Sequence, residues 1–280
     1  MTSVWGLMKY GVETALDFMF YVIWSVISSG QDDRANRYRK NLWPDVYGKV
    51  IELGPGFGVS FDYLPHKTAS NGQFVINSDV IKSYTAVEPN SFMFEKLQAN
   101  AEGHGFCVNY DLETCTDSNN QGTVNNSSDS VPFTISCGTF DDPESVPQAV
   151  WDNAPYDTAI TSFSLCTAGN PQESIKNIVK LLKPGGTYIF IEHILHPPPG
   201  DPLVMDGGHI NGAFWGRMQK LVSPVWNFFG HGCYITRETE KSILNTPGWD
   251  SVEYKYARVG GDILSYFVPM TFGKAIKSSQ

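Results

Sequence analysis

Glu52 stands near the end of the apolar run Val50-Ile51-Glu52-Leu53, and Gly54-Pro55-Gly56-Phe57-Gly58 follows at once. Glycines alternating in this way supply the positive φ of a tight strand-to-helix turn. Their missing Cβ atoms let the backbone lie flat against a nucleotide-like ligand. A dinucleotide fingerprint needs its third glycine at position 59, which is Val59, and no Walker lysine follows the loop. A second acid, Glu88, ends the run Tyr84-Thr85-Ala86-Val87 and is followed by Pro89-Asn90; a carboxylate there suits ribose hydroxyls. It lies further past Glu52 than the usual ~20 residues, and a loop insertion over His66 to Lys82 accounts for the excess. Ser164, Leu165 and Cys166 follow a later apolar run, and Glu192 and His193 end another. Ligands of open α/β sheets sit beyond the carboxyl ends of strands, so these are the candidate reaction residues. His193 is a general base or a hydrogen-bonded histidine that shapes the sheet edge. Glu192 orients a neighbour, caps a helix or does acid–base work. Cys166 packs or touches a ligand edge, and His231, between two glycines, is a turn residue or a catalytic one.

These residues must be positioned by strands. Strand-length apolar runs occur at 49–53, 84–87, 133–137, 157–163 and 187–191, separated by helical or loop sequence. Crossover helices are predicted at 95–101 and 173–182, the second ended by Lys183-Pro184-Gly185-Gly186. The order strand, helix, strand predicts an α/β fold, a doubly wound, Rossmann-like and mostly parallel sheet. The stretch 107–131 is rich in Asn, Ser, Asp and Thr and is expected to be a surface insertion. Its two sequons, at Asn125 and Asn126, read as chance in a polar loop.

The ordered set of Glu52 with its glycine loop, Glu88, Gly138-Thr139-Phe140, the fourth run and the Pro-Gly-Gly turn before the fifth resembles the class I S-adenosyl-L-methionine (SAM) methyltransferases. A more specific resemblance rests on Leu165-Cys166, Glu192-His193-Ile194, Phe214 to Trp226 and Gly230-His231-Gly232-Cys233-Tyr234-Ile235-Thr236-Arg237-Glu238-Thr239. These look like the methyltransferase-like-seven family of membrane-associated thiol methyltransferases and its fungal relatives. The resemblance covers roughly 49–102 and 133–276. It implies a seven-stranded sheet, an N-terminal helical cap or membrane-associating segment at 1–45, and a methyltransferase domain at 46–280 with a lid region at 196–236. It also implies SAM as cofactor, held by Glu52, Gly54, Gly56, Gly58, Glu88, Pro89, Asn90, Gly138, Thr139, Phe140, Ser164, Leu165 and Cys166. The methyl acceptor is then a small lipophilic molecule, most simply a thiol, met by Phe214, Trp215 and Tyr234, with His193 and Glu192 as catalytic candidates. The sequence departs from the family at 107–131, in the Pro-rich loop His196–Asn211, and at Thr139-Phe140, where acidic residues are commoner. Thr139 or Asp141 would then accept from the adenine amino group. An O- or N-methyltransferase of secondary metabolism would share the cofactor motifs, as would a methyltransferase-fold protein repurposed for cyclisation or binding.

Composition narrows the partners. With 280 residues and 41% hydrophobic content, the chain can bury a sizeable core. A net charge of −9 and no basic face argue against a nucleic-acid partner and for a small-molecule substrate. The five cysteines are odd in number, scattered and without a C-x-x-C pair, so spacing indicates neither a disulfide framework nor a metal site. Reduced thiols and a cytoplasmic setting are expected.

Residues 4–29 carry Met8, Val12, Ala15, Met19, Ile23 and Val26 at helical spacing, becoming apolar on all sides after Asp17. The run Phe18 to Ile27 is shorter than the roughly 20 residues a bilayer span needs, and Glu13 and Asp17 disfavour a signal peptide. Two readings stay open: a helix covering the active site, or a peripheral contact with the cytosolic face of a membrane, aided by Arg34, Arg37, Arg39 and Lys40.

Overall fold

The computed structural model describes residues 4–69, 72–110, 130–197, 203–205, 212–258 and 263–279. Among these, a long helix α1 (Val4–Leu42) precedes the sheet. The strands are β1 (Gly48–Leu53), β2 (His66–Thr68), β3 (Phe74–Ile76), β4 (Ile81–Val87), β5 (Phe106–Tyr110), β6 (Val131–Ser136), β7 (Tyr156–Ser162), β8 (Leu182–His193), β9 (Leu203–Met205), β10 (Trp249–Arg258) and β11 (Met270–Lys277). The remaining helices are α2 (Phe94–Gly103), α3 (Gln148–Asp152), α4 (Pro171–Leu181), α5 (Gly212–Phe229) and α6 (Thr239–Leu244).

The main sheet runs β5-β6-β4-β1-β7-β8-β11-β10-β9. It is parallel from β5 to β8, and β11 is antiparallel to both β8 and β10. The inner seven strands, β6 through β10 in that order, give the expected doubly wound sheet, and β5 and β9 extend it at the two edges. β5 falls inside the stretch expected to be a polar insertion from residue 107. Phe106 and Val108 alternate into the core there, which is the period of a strand, so the insertion begins later. Residues 111–129, with both sequons, lie outside the described residues. The expected loop at 66–82 contains the small β2–β3 hairpin.

Alternation sends neighbouring strand residues to opposite faces. Val50, Tyr84, Phe133, Ile189 and Ile191 pack with Phe61, Trp43 and the end of α1 on one face. Ile51, Leu53, Tyr188 and Phe190 pack with Ile175, Ile178 and Leu181 of α4 on the other. Helix α4 starts where Pro171 follows Asn170, whose side chain accepts from the Glu173 amide at 3.3 Å.

Helix α1 continues past the expected end at residue 29. Ala35, Tyr38 and Leu42 recur at helical spacing and are buried, so the charged segment is helical because one of its faces joins the core. Arg39, which the membrane-contact reading puts at a lipid surface, is 3% exposed, and its Nη2 donates to Ser162 Oγ at 2.9 Å. Among the described residues no helix is long and apolar enough to cross a membrane.

Candidate active site

The loops after β1, β4 and β7 meet at the carboxyl ends of the three central strands, where the strand order reverses. Gly54 has φ +60°, and a Cβ there would lie 2.8 Å from Ser164 Cβ. Gly58 has φ +80°, and a Cβ would enter the Phe61 ring. The loop therefore needs both the left-handed backbone and the missing side chains. Glu52 is buried behind it, accepting from Ser60 Oγ and Tyr84 Oη, each at 2.5 Å. Burial raises its pKa above the ordinary carboxylate range, against those two hydrogen bonds. With its oxygens engaged, Glu52 fixes the loop's base and also borders the cavity above.

Glu88 faces the same cavity. Its Oε2 accepts from the Gly56 amide at 3.0 Å and its Oε1 from the Asn90 amide at 2.9 Å. Each oxygen keeps acceptor capacity for a further donor. Burial pushes its pKa up to about 7, although both amides favour the charged form. Asn90 is held in turn: its Nδ2 donates to the Asp17 carbonyl on α1 at 3.0 Å and its Oδ1 accepts from the Phe92 amide.

Two cavities open from these loops. The first is bordered by Gly54, Gly56, Glu88, Pro89 and Asn90 on one side, and by Phe163, Cys166, His193, Trp226 and Cys233 on another. The second adjoins it through Gly54, Pro89 and Ser164 and is lined by Gly138, Thr139, Phe140, Asp141 and Leu165. All thirteen expected cofactor residues except Gly58 therefore border one cavity or the other. Gly58 shapes the turn from below. Asp141 already accepts from the Asn170 amide at 3.2 Å.

Glu192 is fully buried. It accepts from the backbone amides of Ser164 at 3.3 Å and Leu165 at 3.1 Å, and burial pushes its pKa up to about 7. It orders the loop after β7 and borders neither cavity among the described residues. His193 does border the cavity, with its ring stacked on Phe163 at 4.4 Å between centroids. Its Nδ1 lies 3.6 Å from both Cys166 Sγ and Cys233 Sγ, and the sulfurs are 3.2 Å apart. The Cys233 thiol is lowered by its hydrogen bond with Cys166, and the same bond raises Cys166.

Cys233 arrives there through a set of staples. The Tyr234 amide donates to the Cys166 carbonyl at 2.8 Å, and Arg237 Nη1 to the Leu165 carbonyl at 2.5 Å. Gln219 of α5 donates to the carbonyls of Ile194, Ile235 and Phe267 and accepts from the His196 amide. The aromatic residues expected to meet the acceptor point elsewhere. Phe214 is 52% exposed and Tyr234 46%, while Trp215 packs on Tyr266 at 4.5 Å. Among the described residues, none of the three lines either cavity. Helix α5 turns its polar Gln219 inward to satisfy three carbonyls, which leaves Phe214, Phe228 and Phe229 outward, while Trp226 of the same helix borders the first cavity.

Helix α1 closes the cavity instead, with Phe20 and Trp24 on its wall. His231 has φ +49°, its Nε2 lies 2.7 Å from Asp17, and its ring stacks on Phe20 at 4.9 Å. This turn residue therefore fastens the covering helix.

A solved SAM-dependent methyltransferase from Thermotoga maritima aligns over 92% of this chain and 94% of its own, with a TM-score of 0.51 and 14% identity. The chain therefore has the class I fold of the SAM-dependent methyltransferases. No family model matches it. Thiol S-methyltransferase TMT1B of Rattus norvegicus is 28% identical over 234 residues, 81% of this chain and 70% of that protein. The Mus musculus protein of the same name is 26% identical over the same shares. The chain thus resembles the thiol S-methyltransferases. In this class I fold, sequence reasoning missed Arg39, Phe163 and Cys233 as cavity residues, whereas Phe20 and Trp24 lie on the helix that one reading placed over the active site. Only Arg39 carried a signal, a charge in register with the buried Ala35, Tyr38 and Leu42.

Proposed function

We propose that this chain transfers a methyl group from SAM to the sulfur of a small lipophilic thiol. The observation that carries the reading is the first cavity, where the Glu88 and glycine-loop side continues into a compartment walled by Phe20, Trp24, Phe163 and Trp226. The residues fit the cofactor. A flat glycine backbone suits uncharged adenosyl and methionine parts, and Glu88 offers the ribose a carboxylate already aligned by two amides. Bound SAM supplies an electrophilic methyl on a sulfonium, a strong leaving group. The chain's task is then to bring the acceptor in line, exclude water and accommodate loss of a proton. A thiol has an ordinary pKa near ~8.5 and is partly thiolate at neutral pH. Glu192 is committed to the backbone of Ser164 and Leu165, so an acceptor that needs no strong base suits this site.

The test is to incubate the pure protein with SAM and a panel of alkyl thiols, phenols, amines and carboxylic acids while following S-adenosylhomocysteine release. Turnover of the apolar thiols alone supports the reading, and turnover of phenols or acids without thiols refutes it.

A surface role for the same helices is supported by their exposed side chains. Val12, Phe18 and Val22 of α1 are exposed, as are Phe214, Leu221, Val225, Phe228 and Phe229 of α5. On α5 these recur at helical spacing, with Lys220 exposed beside them. We propose that this apolar face rests on a lipid surface from which lipophilic acceptors arrive. Flotation with neutral and anionic vesicles checks this: Leu221→Glu with Val225→Glu should abolish co-flotation, and a wild-type chain that never floats would overturn it.

A further inference from the structure

The Cys166, Cys233 and His193 cluster is more ordered than packing requires. Its three ligand atoms lie within 4.8 Å of one another and all three residues are buried. The sulfurs stand 3.2 Å apart, and one ring nitrogen lies at the same 3.6 Å from each. Two thiols that only pack do not call for a nitrogen aimed at both. Two thiolates and an imidazole are the donors that thiophilic d¹⁰ cations select. On a tetrahedral zinc with Zn–S distances of about 2.3 Å, two sulfurs stand about 3.8 Å apart. Closing a cation into the cluster therefore asks them to part by about half an ångström, within reach of a side-chain adjustment.

The cluster also faces somewhere useful. All three residues border the cavity shared by Glu88 and the glycine loop. Three protein ligands with a fourth position open to a cavity is the arrangement of reactive rather than structural zinc sites. The residues lie far apart in the chain and in no C-x-x-C pair, so spacing alone gives no sign of the site.

We propose that Cys166, Cys233 and His193 Nδ1 hold a zinc-like thiophilic cation whose open position takes the sulfur of the acceptor. This rests on the thiol reading of the same cavity. As the cation binds, the two cysteines release their protons to solvent. As the acceptor binds, its thiol releases a third. The bound thiolate then uses one sulfur lone pair to form the new C–S bond while the methyl's bond to the sulfonium sulfur breaks, its electron pair staying on S-adenosylhomocysteine. The neutral thioether is the weaker ligand and leaves. In this arrangement His193 is a ligand and not the general base.

The test uses the full chain, reduced, stripped with chelator and titrated anaerobically with cobalt(II) alone. One equivalent should produce thiolate-to-cobalt charge-transfer absorption and the strong visible bands of a tetrahedral site, both bleached by zinc. Cys233→Ser, close to isosteric, and His193→Ala should each weaken cobalt binding at least tenfold, while Cys137→Ser, outside the cluster, should not change it. An added alkyl thiol should intensify the charge-transfer band and a phenol should not. Absence of the band, its persistence in Cys233→Ser, or no response to alkyl thiol overturns the proposal. So does equal kcat/KM for thiols in zinc-loaded and metal-free enzyme, which would leave thiol methylation standing. Cobalt binding at the cluster with no thiol ever methylated would instead remove the thiol reading, and with it the acceptor role assigned here.

Discussion

The two sides of the first cavity are built differently. Around the glycine loop the wall is backbone and carboxylate: Gly56 and Asn90 amides hold Glu88, and Ser60 and Tyr84 hold Glu52. Around Cys233 the wall is aromatic rings and sulfur, assembled from α1, the loop after β7, β8 and the segment after α5. The first side reads a fixed ligand through hydrogen bonds that demand one geometry. Under the proposed function, the second offers an acceptor soft contacts. On that reading the methyl donor never changes, whereas small lipophilic acceptors differ in shape, and the chemistry of each wall suits its ligand.

The sharpest way to break this contrast is at Glu88. Glu88→Ala should weaken SAM binding about 10- to 100-fold by calorimetry, from loss of a charged acceptor worth about 1.5–3 kcal/mol, while kcat/KM at saturating SAM changes little across acceptors. Phe20→Ala addresses the other wall. It should raise KM for long-chain acceptors by about tenfold, the worth of roughly 1.5 kcal/mol of apolar burial, and leave SAM affinity unchanged. If Phe20→Ala weakens SAM binding as much as it weakens acceptor binding, the division of the cavity is wrong.

The acid side should also respond to pH. Burial raises Glu88 and Glu192 from 4.5 to about 7, so the cofactor-free fold holds these protons more tightly than the unfolded chain does. Stability from this source is full below pH 4.5 and lost as pH rises through about 7. Denaturant midpoints should therefore fall between pH 5 and pH 8. SAM affinity should move oppositely, rising through pH 7 as Glu88 ionises, and Glu88→Gln should flatten that rise. The smallest expected effect is at the fastening of α1. Asp17→Ala removes a partly exposed pair with His231, worth about 0.2–1 kcal/mol, and should raise acceptor KM by at most about fivefold with faster amide exchange near Phe20.

The same contrast explains what could be read in advance. Glu52, the glycines and Glu88 sit in local patterns whose backbone demands are visible residue by residue, and the strand runs around them alternate or stay apolar as buried strands must. Cys233 lies 3.2 Å from Cys166 only because Gln219, Tyr234 and Arg237 fold their segment onto the loop after β7, and no local pattern encodes that. The resemblance implies Phe214 and Trp215 as acceptor contacts, but it does not say which face of helix α5 turns inward. The inward face of α5 includes Gln219 and Ser223, both buried. The helical continuation to Leu42 was legible in principle from Ala35, Tyr38 and Leu42, but the surrounding charges obscured it.

Methyl transfer to sulfur in this cavity asks for no dedicated base. Its most direct test is the pH dependence of kcat/KM for a series of apolar thiols of graded pKa at saturating SAM, read as S-adenosylhomocysteine formed. Turnover of the thiols is expected, with profiles that follow each thiol's effective ionisation in the site and shift from one acceptor to the next. A single profile set by one enzyme group for every acceptor, or turnover of phenols in place of thiols, would contradict it.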